Sequence, residues 1–344
     1  MLVYGYNYRR SGRTGVPVRA GTVAQAISHV AEGITNLGEP DPRKPLHSSQ
    51  QYPLLDAFIK ALSNEDDPTS RAYPANLLFI EALFECLDTK HPVYGETNLH
   101  IIDLIIVAYF WLLRPGEYCQ GGDPGSRSTP FRLESIFIHH GSKVLHAASA
   151  PLNDLKRLDR ITYASLTFDD QKNATKGETV GHTSNNDACL NPARALGRIA
   201  LRLRLQRAEP KTPLYLLVHP EGKRPHYSVR TTIITNALQH AADYLFPKLG
   251  VDRSLVTARS LRPGGATALL VAGVSTDKIQ LLGRWKSDAM FRYLRIQASI
   301  GALSQSMLDS GRYTFTPEAF ASGGLPEDTP RDIASLLAPE ELYR

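Results

Sequence analysis

Residues 98–117 read NLHIIDLIIVAYFWLLRPGE, and this stretch decides the fold. Its apolar run, 104–113, has no polar side, which is typical of a helix buried at the centre of a globular core. Ten residues are about half of what a membrane-spanning helix needs, so we expect no membrane segment here. The Pro-Gly pair that follows is expected to end the helix and to leave Arg114 and Glu117 beside its carboxyl end.

Alternating apolar and polar residues further along the chain predict strands, and longer stretches with a helical period predict helices. The strands are expected at 133–140, 143–147, 163–169 and 178–183. The helices are expected at about 75–88, 98–113, 192–207, 229–246, 264–272, 276–284 and 288–299. The sequence therefore predicts a mainly α fold with a small antiparallel β-sheet, an α+β protein.

The first part of the chain predicts a separate, short helical domain. Helical periods occur at 21–37 and 52–62, and the polar, proline-bearing stretch 63–74 is typical of a linker. We therefore expect a helical domain over 1–65, a main domain over 70–300, and a tail over 301–344 that proline and glycine punctuate.

The distribution of charge points to a polyanionic partner. The 344 residues carry a net charge of +5, and their 42% hydrophobic and 21% charged residues are typical of a globular protein. The first twenty residues contain four arginines and no acid, whereas 317–344 are mainly acidic. A solvated surface of uneven charge is the alternative. As candidate DNA contacts we take Arg9, Arg10, Arg13, and the helical stripe Arg194, Arg198 and Arg202.

The cysteines and histidines indicate neither a disulfide nor a metal site. The three cysteines are far apart with no CxxC pair, and the eleven histidines are scattered with no HExxH motif. We therefore expect no metal and no cofactor. The N-terminal residues lack the apolar segment of a secretory signal, so we expect the protein to stay where it is made or to enter the nucleus.

The first two candidate catalytic features are an arginine after the central helix and a lysine between two strands. Arg114 needs a partner because an uncompensated charge is costly to desolvate, and Glu117, one turn on, can pair with it. That pair alone is also typical of a structural ion pair at a helix end. The turn between the third and fourth strands contains Lys172 and Lys176, which alone are typical of a solvated hairpin.

The other two features lie near the end of the main domain. The stretch ARSLRPGGAT (258–267) places Arg259 and Arg262 where a helix starts, before glycines that allow close backbone approach. Paired arginines at a helix N-terminus are typical of a phosphate-binding site. The stretch LGRWKSDAMFRY (282–293) predicts a helix, a turn and a second helix carrying Tyr293. A helical tyrosine alone is more typical of a core.

The order and spacing of these features resemble the tyrosine recombinases and phage-type integrases, and most closely the recombinase-like proteins of eukaryotic mobile elements such as cryptons. Their signature is an arginine after a central helix, a hairpin lysine, a His-x-x-Arg box, and a Gly-His or Gly-Trp step that precedes a tyrosine. The resemblance covers roughly 70–300. The residues that match are Arg114 with its supporting acid Glu117, Lys172 with Lys176 as the weaker choice, Arg262, Gly283 and Tyr293.

Two positions depart from that signature. The histidine of the box is Arg259 here, and the later His or Trp position is Arg284, with Trp285 beside it. Arginine stays protonated, so Arg259 cannot accept the tyrosine proton, but it can bind phosphate. We therefore include Arg259 and Arg284 in the catalytic set, with Trp285 in support, and expect four arginines around one phosphodiester.

The resemblance implies a tyrosine recombinase catalytic-domain fold preceded by part of a helical core-binding domain at 1–65. It implies binding of double-stranded DNA, and transesterification through a 3′-phosphotyrosyl intermediate at Tyr293. It also implies a monomer in solution and a tetramer on paired sites, with 301–344 docking onto a neighbouring subunit. The location would be the nucleus in a eukaryote, or otherwise the cytoplasm or nucleoid. A decayed or domesticated relative that binds DNA without cutting it, and a type IB topoisomerase, are the alternatives.

Overall fold

The computed structural model describes residues 1–12, 15–67, 72–121, 129–168, 177–217, 226–285, 307–308 and 311. The chain separates into two compact units, Met1–Ser70 and Arg71–Arg344. None of the helices in these ranges combines the length and the apolar character that crossing a membrane requires. The same ranges contain no group of three or more His, Cys, Asp or Glu side chains arranged to hold a metal ion.

The described part of the first unit contains the helices α1 (Leu2–Arg9), α2 (Ala20–Asn36) and α3 (Pro53–Glu65). The helical periods predict α2 and α3, whose apolar faces form a small core from Val23 and Ile27 with Leu55 and Leu62. No apolar period indicates α1. It packs beside α2 at Gly5, where an added Cβ would lie 2.9 Å from the side chain of Ile27.

The second unit is built around α5 (Gly95–Phe110), which follows α4 (Leu77–Cys86). Every residue of α5 from His100 to its end is buried, which confirms the prediction of a central helix. The helix ends at Phe110 rather than at residue 113, and a single further turn, α6 (Pro115–Tyr118), follows it. The Pro-Gly pair therefore begins α6 instead of ending α5, because proline is well suited to the first turn of a helix.

A four-stranded antiparallel sheet consists of β1 (Ile136–His140), β2 (Lys143–His146), β3 (Tyr163–Phe168) and β4 (Glu178–Thr183), in the order β2-β1-β3-β4. All four lie within the predicted stretches. The short helix α7 (Leu152–Leu155) lies between β2 and β3 in the chain and has no sequence signal. In β3 the apolar side chains of Ala164, Leu166 and Phe168 are buried, as their alternation predicts.

Four more helices belong to the described part, α8 (Pro192–Leu205), α9 (Thr231–Leu249), α10 (Leu261–Val271) and α11 (Thr276–Gly283). Each coincides with a predicted helix to within a few residues, whereas the helix predicted at 288–299 lies outside the described residues. The two-residue strands β5 (Leu216–Leu217) and β6 (Tyr227–Ser228) pair with each other and are too short for a sequence pattern to indicate. The described chain is mainly α with a small antiparallel sheet, which confirms the predicted fold class.

The arginine face of α8 turns toward α5. Asp103, whose side chain is 3% exposed, accepts hydrogen bonds from the guanidinium groups of Arg198 and Arg202. Nη1 of Arg202 lies 3.4 Å from Nδ1 of His100, and the Nε2–H of that histidine donates to the Leu214 carbonyl at 2.8 Å. Burial lowers the pKa of His100 to about 3, so this histidine is neutral. Two of the predicted DNA contacts are therefore bound to the interior of the protein.

Gly264 and Gly265 allow α10 to approach protein backbone. A Cβ on Gly264 would lie 1.8 Å from the carbonyl oxygen of Ala75, and one on Gly265 would lie 2.3 Å from that of Tyr109. The close backbone approach that these glycines predict is therefore made to the chain before α4 and to α5. Their absence of side chains is explained by helix packing, without a bound phosphate.

Candidate active site

The candidate site forms at the carboxyl end of α5, where the chain turns through a left-handed residue. Leu112 has a φ of 51°. Its amide donates to the Tyr109 carbonyl at 3.4 Å, and the amide of Leu113 donates to that of Ala108 at 2.9 Å. This is the Schellman arrangement, which usually places glycine where Leu112 stands. The left-handed conformation costs a leucine roughly 1–2 kcal/mol. The last carbonyls of the helix, including that of Trp111, then need donors from elsewhere.

Glu117 is the buried acceptor at the centre of the site. Its side chain is 5% exposed. One carboxylate oxygen accepts from the backbone amide of Arg114 at 2.8 Å, and the other accepts from Nη1 of the same arginine at 2.9 Å. Nη2 of Arg284 donates to the carboxylate at 3.1 Å. The structure thus contains the Arg114–Glu117 pair that the sequence predicts, and it adds a second arginine to the same carboxylate.

Arg262 connects the ends of two helices. It lies in the first turn of α10 and is 6% exposed. Nη1 donates to the Leu112 carbonyl at 3.0 Å, and Nη2 donates to the carbonyl of Gly283. The ring of Trp285 lies 4.2 Å from the guanidinium carbon, within the distance of a cation–π contact. These contacts attach the carboxyl end of α11 to that of α5.

Arg284 has a left-handed backbone, like Leu112, and it ends α11 in the same way. Its φ is 58°. Its amide donates to the Leu281 carbonyl and that of Trp285 donates to Gln280, each at 3.0 Å. Arginine at this position carries the same backbone penalty as leucine, which glycine would avoid. The penalty is offset by what the Arg284 side chain contacts.

The guanidinium of Arg284 is enclosed by protein groups. Nη1 donates to the carbonyls of Trp111 and Leu282 at 3.2 and 3.1 Å, and Nη2 also reaches that of Leu112 at 3.4 Å. The ring of Phe168 lies 4.0 Å from the guanidinium carbon. Burial lowers the pKa of Arg284, and the acceptor Glu117 opposes that shift. An arginine starts so far above neutrality that it remains charged.

Three guanidinium groups are therefore joined through two shared acceptors. The Glu117 carboxylate binds Arg114 and Arg284, and the Leu112 carbonyl binds Arg262 and Arg284. Glu178 also interacts electrostatically with Arg284. Counted over the described residues of this cluster, three arginines against two acids leave one positive charge in excess. Such an excess in a partly desolvated place favours the binding of an anion.

Arg114 and Arg259 are the predicted catalytic arginines that reach solvent. The side chain of Arg114 is 21% exposed, and among the described residues only its Nη1 forms a hydrogen bond from the guanidinium. Arg259 is exposed, and its guanidinium has no hydrogen bond or ion pair to any residue that the structure describes. It belongs to the short 3₁₀ helix Ala258–Ser260 just before α10.

The structure assembles part of the predicted site. It brings together Arg114, Glu117, Arg262, Arg284 and Trp285 and leaves Arg259 at the surface. The predicted positions that lie outside the described residues are Lys172, Lys176, Tyr293 and, in the first unit, Arg13.

The predicted DNA contacts of the first unit have different environments. Arg9 is 7% exposed and its guanidinium binds Asp66 at 2.7 Å and Glu65 at 3.4 Å. Arg9 is therefore paired within the first unit, as Arg198 and Arg202 of α8 are with Asp103. Their role as phosphate contacts stays a prediction. Arg10 is exposed and lies over the ring of Tyr6 at 5.6 Å. In the second unit, Arg194 is half-buried.

Aromatic residues around the cluster carry no catalytic signal in the sequence. Trp111 follows α5, and its indole Nε1 donates to the Val180 carbonyl of β4 at 2.9 Å. The ring of His182 meets that of Trp111 edge-on at 4.5 Å, and its Nε2 has no hydrogen-bond partner among the described residues. Burial lowers the pKa of His182 to about 4, so it is neutral. For Phe168 the sequence offers one signal, its place at the end of β3 four residues before Lys172.

No protein-family model matches the chain, and no curated protein matches it. Among solved structures, it is similar to that of the Tn1549 transposon integrase in complex with circular intermediate DNA. The two share 11% sequence identity over 90% of this chain and 82% of that chain, with a TM-score of 0.39. That TM-score is below the range that indicates a common fold.

Proposed function

We propose that this protein cuts and rejoins double-stranded DNA as a site-specific tyrosine recombinase or integrase. One observation carries the proposal. Three segments that are far apart in sequence, 114–117, 262 and 283–285, meet at the end of α5 through shared acceptors. Their order along the chain is the order of the recombinase signature, and the residues that meet are those that match it or stand beside the match.

In the proposed reaction, the hydroxyl oxygen of Tyr293 attacks the scissile phosphorus and the bond to the 5′-oxygen breaks. The tyrosine proton passes to water, and Lys172 gives a proton to the leaving 5′-oxygen. The product is a 3′-phosphotyrosyl enzyme with a free 5′-hydroxyl, which attacks the partner strand in the reverse of the first step. The phosphodiester energy is kept in the phosphotyrosine, so no ATP or metal ion is needed.

The arginines divide into two roles in this proposal. Arg114 and Arg259, which keep donors toward solvent, bind the non-bridging oxygens of the phosphate. Arg262 and Arg284 add positive charge from the buried side of the site. Arg284 binds Glu117, and Arg262 connects the carboxyl ends of α5 and α11. Neither Arg259 nor Arg284 can take the tyrosine proton. Charge, rather than a histidine base, favours the tyrosinate.

A second candidate function is DNA binding without cleavage, in a decayed or domesticated relative. One observation favours it: the guanidinium groups of Arg262 and Arg284 already donate to main-chain carbonyls and to Glu117. A site held this way retains its positive charge after catalysis is lost. The presence of Arg259 at the histidine position of the box also favours this candidate, because arginine cannot accept the tyrosine proton.

The test is a trapping experiment with nicked duplexes carrying candidate element ends. Under the first proposal, wild-type protein forms an SDS-resistant DNA adduct that is absent in Tyr293→Phe and retained in Tyr244→Phe, a matched exposed tyrosine of α9 that is 58% exposed. Binding of the duplex by wild type and Tyr293→Phe alike, with no adduct from either, would favour the second candidate. Relaxation of supercoiled plasmid without strand exchange would point to a type IB topoisomerase.

Assembly and location are also proposals. We expect monomers in solution and tetramers on paired sites, with 301–344 at the contact between subunits. We expect the protein in the nucleus of a eukaryotic host, or otherwise in the cytoplasm or nucleoid. Light scattering of the protein alone and with paired-site DNA measures the change in mass. If the protein mass in the complex stays at one protomer at saturating DNA, the tetramer is contradicted.

A further inference from the structure

We propose that Phe168 is a positioning residue for the leaving-group step, and that it acts by holding the strand before Lys172 against Arg284. The inference rests on the proposed function and adds to it a residue that the recombinase signature does not contain. It concerns only the position of the acid; Phe168 itself would touch no reacting atom.

The Phe168 ring lies between the arginine cluster and the core. It is the last residue of β3 and is 3% exposed. The guanidinium carbon of Arg284 lies 4.0 Å from the centroid of its ring, and Phe131 meets the ring edge-on at 4.5 Å. A buried guanidinium over an aromatic face gains an attraction that an aliphatic side chain cannot supply.

The backbone of Phe168 closes the described end of the β3–β4 ladder. Its carbonyl accepts from the amide of Gly177 at 2.8 Å, and it is paired in register with Glu178. Lys172 is four residues further along the chain. Phe168 and Gly177 are therefore the described residues on either side of the segment that contains Lys172.

Both strands of this ladder are attached to the carboxyl end of α5. On β3 the attachment is Phe168 to Arg284, whose Nη1 donates to the Trp111 carbonyl at 3.2 Å. On β4 it is the Val180 carbonyl, which accepts from Nε1 of Trp111 at 2.9 Å. Because Arg284 also binds Glu117, the same guanidinium is in contact with the phosphate-binding half of the site and with the base of the lysine segment.

This arrangement explains why an arginine can stand where the signature has histidine or tryptophan. The Arg284 side chain is 2% exposed, so it is not accessible to a substrate. It contacts Glu117, which binds Arg114, and Phe168, which ends β3. Loss of the aromatic face at 168 would loosen β3 from the cluster and leave Arg114 and Glu117 bound to each other. The predicted defect is therefore selective for the step that needs the lysine proton.

The experiment compares two nicked substrates that differ at the scissile leaving atom. With a 5′-bridging oxygen, the leaving group needs a proton; with a 5′-bridging sulfur, it leaves as a thiolate and needs none. We expect Phe168→Leu to slow adduct formation on the oxygen substrate by about tenfold or more and on the sulfur substrate by less than about twofold. Phe168→Trp, which keeps an aromatic face, should restore the wild-type ratio of the two rates.

Phe131→Leu is the matched control, since Phe131 packs edge-on against the same ring, whereas the face over the Arg284 guanidinium belongs to Phe168. It should lower both rates equally. The ratio of the two rates in one preparation does not depend on how much protein is folded, so partial unfolding of Phe168→Leu does not obscure the result. An equal loss on both substrates in Phe168→Leu overturns the inference. No adduct with wild type on either substrate overturns the proposed function, and this inference with it.

Discussion

Replacing Glu117 by glutamine tests whether this carboxylate holds the arginine cluster together. The wild-type side chain, 5% exposed, accepts three hydrogen bonds, from the amide and Nη1 of Arg114 and from Nη2 of Arg284. Glutamine keeps the shape but turns an amide NH₂ toward a guanidinium and leaves two arginines without their shared counter-charge. Breaking a buried ion pair by removing one partner costs about 3–5 kcal/mol, and the partial exposure of Arg114 favours the lower end, about 3 kcal/mol.

The assay is chemical and thermal unfolding of the whole chain. A loss of about 3 kcal/mol lowers the Tm of a domain of this size by roughly 6–12 °C. The matched control is Asp243→Asn, which breaks an ion pair with Arg253 whose side chains are 47% and 52% exposed. An exposed pair of this kind contributes at most about 1 kcal/mol.

A double-mutant cycle with Arg284→Met identifies the interaction. Because methionine removes one of the two charges that Glu117→Gln leaves uncompensated, the double variant should be less destabilised than the sum of the single variants. Equal losses in Glu117→Gln and Asp243→Asn, or strict additivity with Arg284→Met, would refute the argument that this carboxylate joins the two arginines.

Three further predictions concern packing, pH and reactivity. Gly265→Ala should cost at least about 1–3 kcal/mol of unfolding free energy, because its Cβ would lie 2.3 Å from the rigid Tyr109 carbonyl; chemical denaturation measures this. Burial lowers the pKa of His182 from 6.5 to about 4, so its contribution is complete above pH 6.5. Below that pH, His182 should lower the stability by about 1.4 kcal/mol per unit toward pH 4, and His100 should add a similar slope. His182→Leu should remove its share of the slope in unfolding curves measured against pH. Burial raises the pKa of the Cys119 thiol to about 11, so iodoacetamide at pH 8 should label exposed Cys189 in the native protein and Cys119 only after unfolding, as peptide mapping would show.

Local pattern predicted the longer elements of the second unit and the helices α2 and α3 of the first. The run 104–113 is apolar on every side, and its burial at the centre of the second unit follows from that alone. The strands β1 to β4 alternate in the way that a half-buried sheet requires. The helix α1 shows the limit of this reasoning, because no apolar period marks it.

The partners of charged side chains could not be predicted in the same way. A stripe of arginines on α8 has the same sequence pattern whether it faces DNA or a buried acid, and Asp103 lies 95 residues from Arg198. Arg9 is a similar case, with Asp66 at a separation of 57 residues. Each pairing depends on tertiary contacts, about which local spacing carries no information.

The structure brings Arg114, Arg262 and Arg284 together, but the sequence could not indicate which arginines have their hydrogen bonds taken up by the protein itself. Arg262 and Arg284 donate to main-chain carbonyls because α5 ends at Phe110, before the predicted residue 113, and the carbonyl of Leu112 is left as an acceptor beside them. That early end depends on a left-handed leucine, which sequence statistics disfavour.

The carboxyl end of α5 is completed by residues that the ribosome makes much later. The Leu112 carbonyl accepts a hydrogen bond from Arg262, 150 residues further along the chain, and the Trp111 carbonyl accepts one from Arg284, 173 residues further along. Contacts this distant in sequence form slowly, and until they form the last carbonyls of the central helix α5 must be hydrogen-bonded to water. Until α10 and α11 have been synthesised, the carboxyl end of α5 therefore lacks these donors. The same two segments carry the candidate catalytic residues Arg262, in α10, and Arg284, at the end of α11.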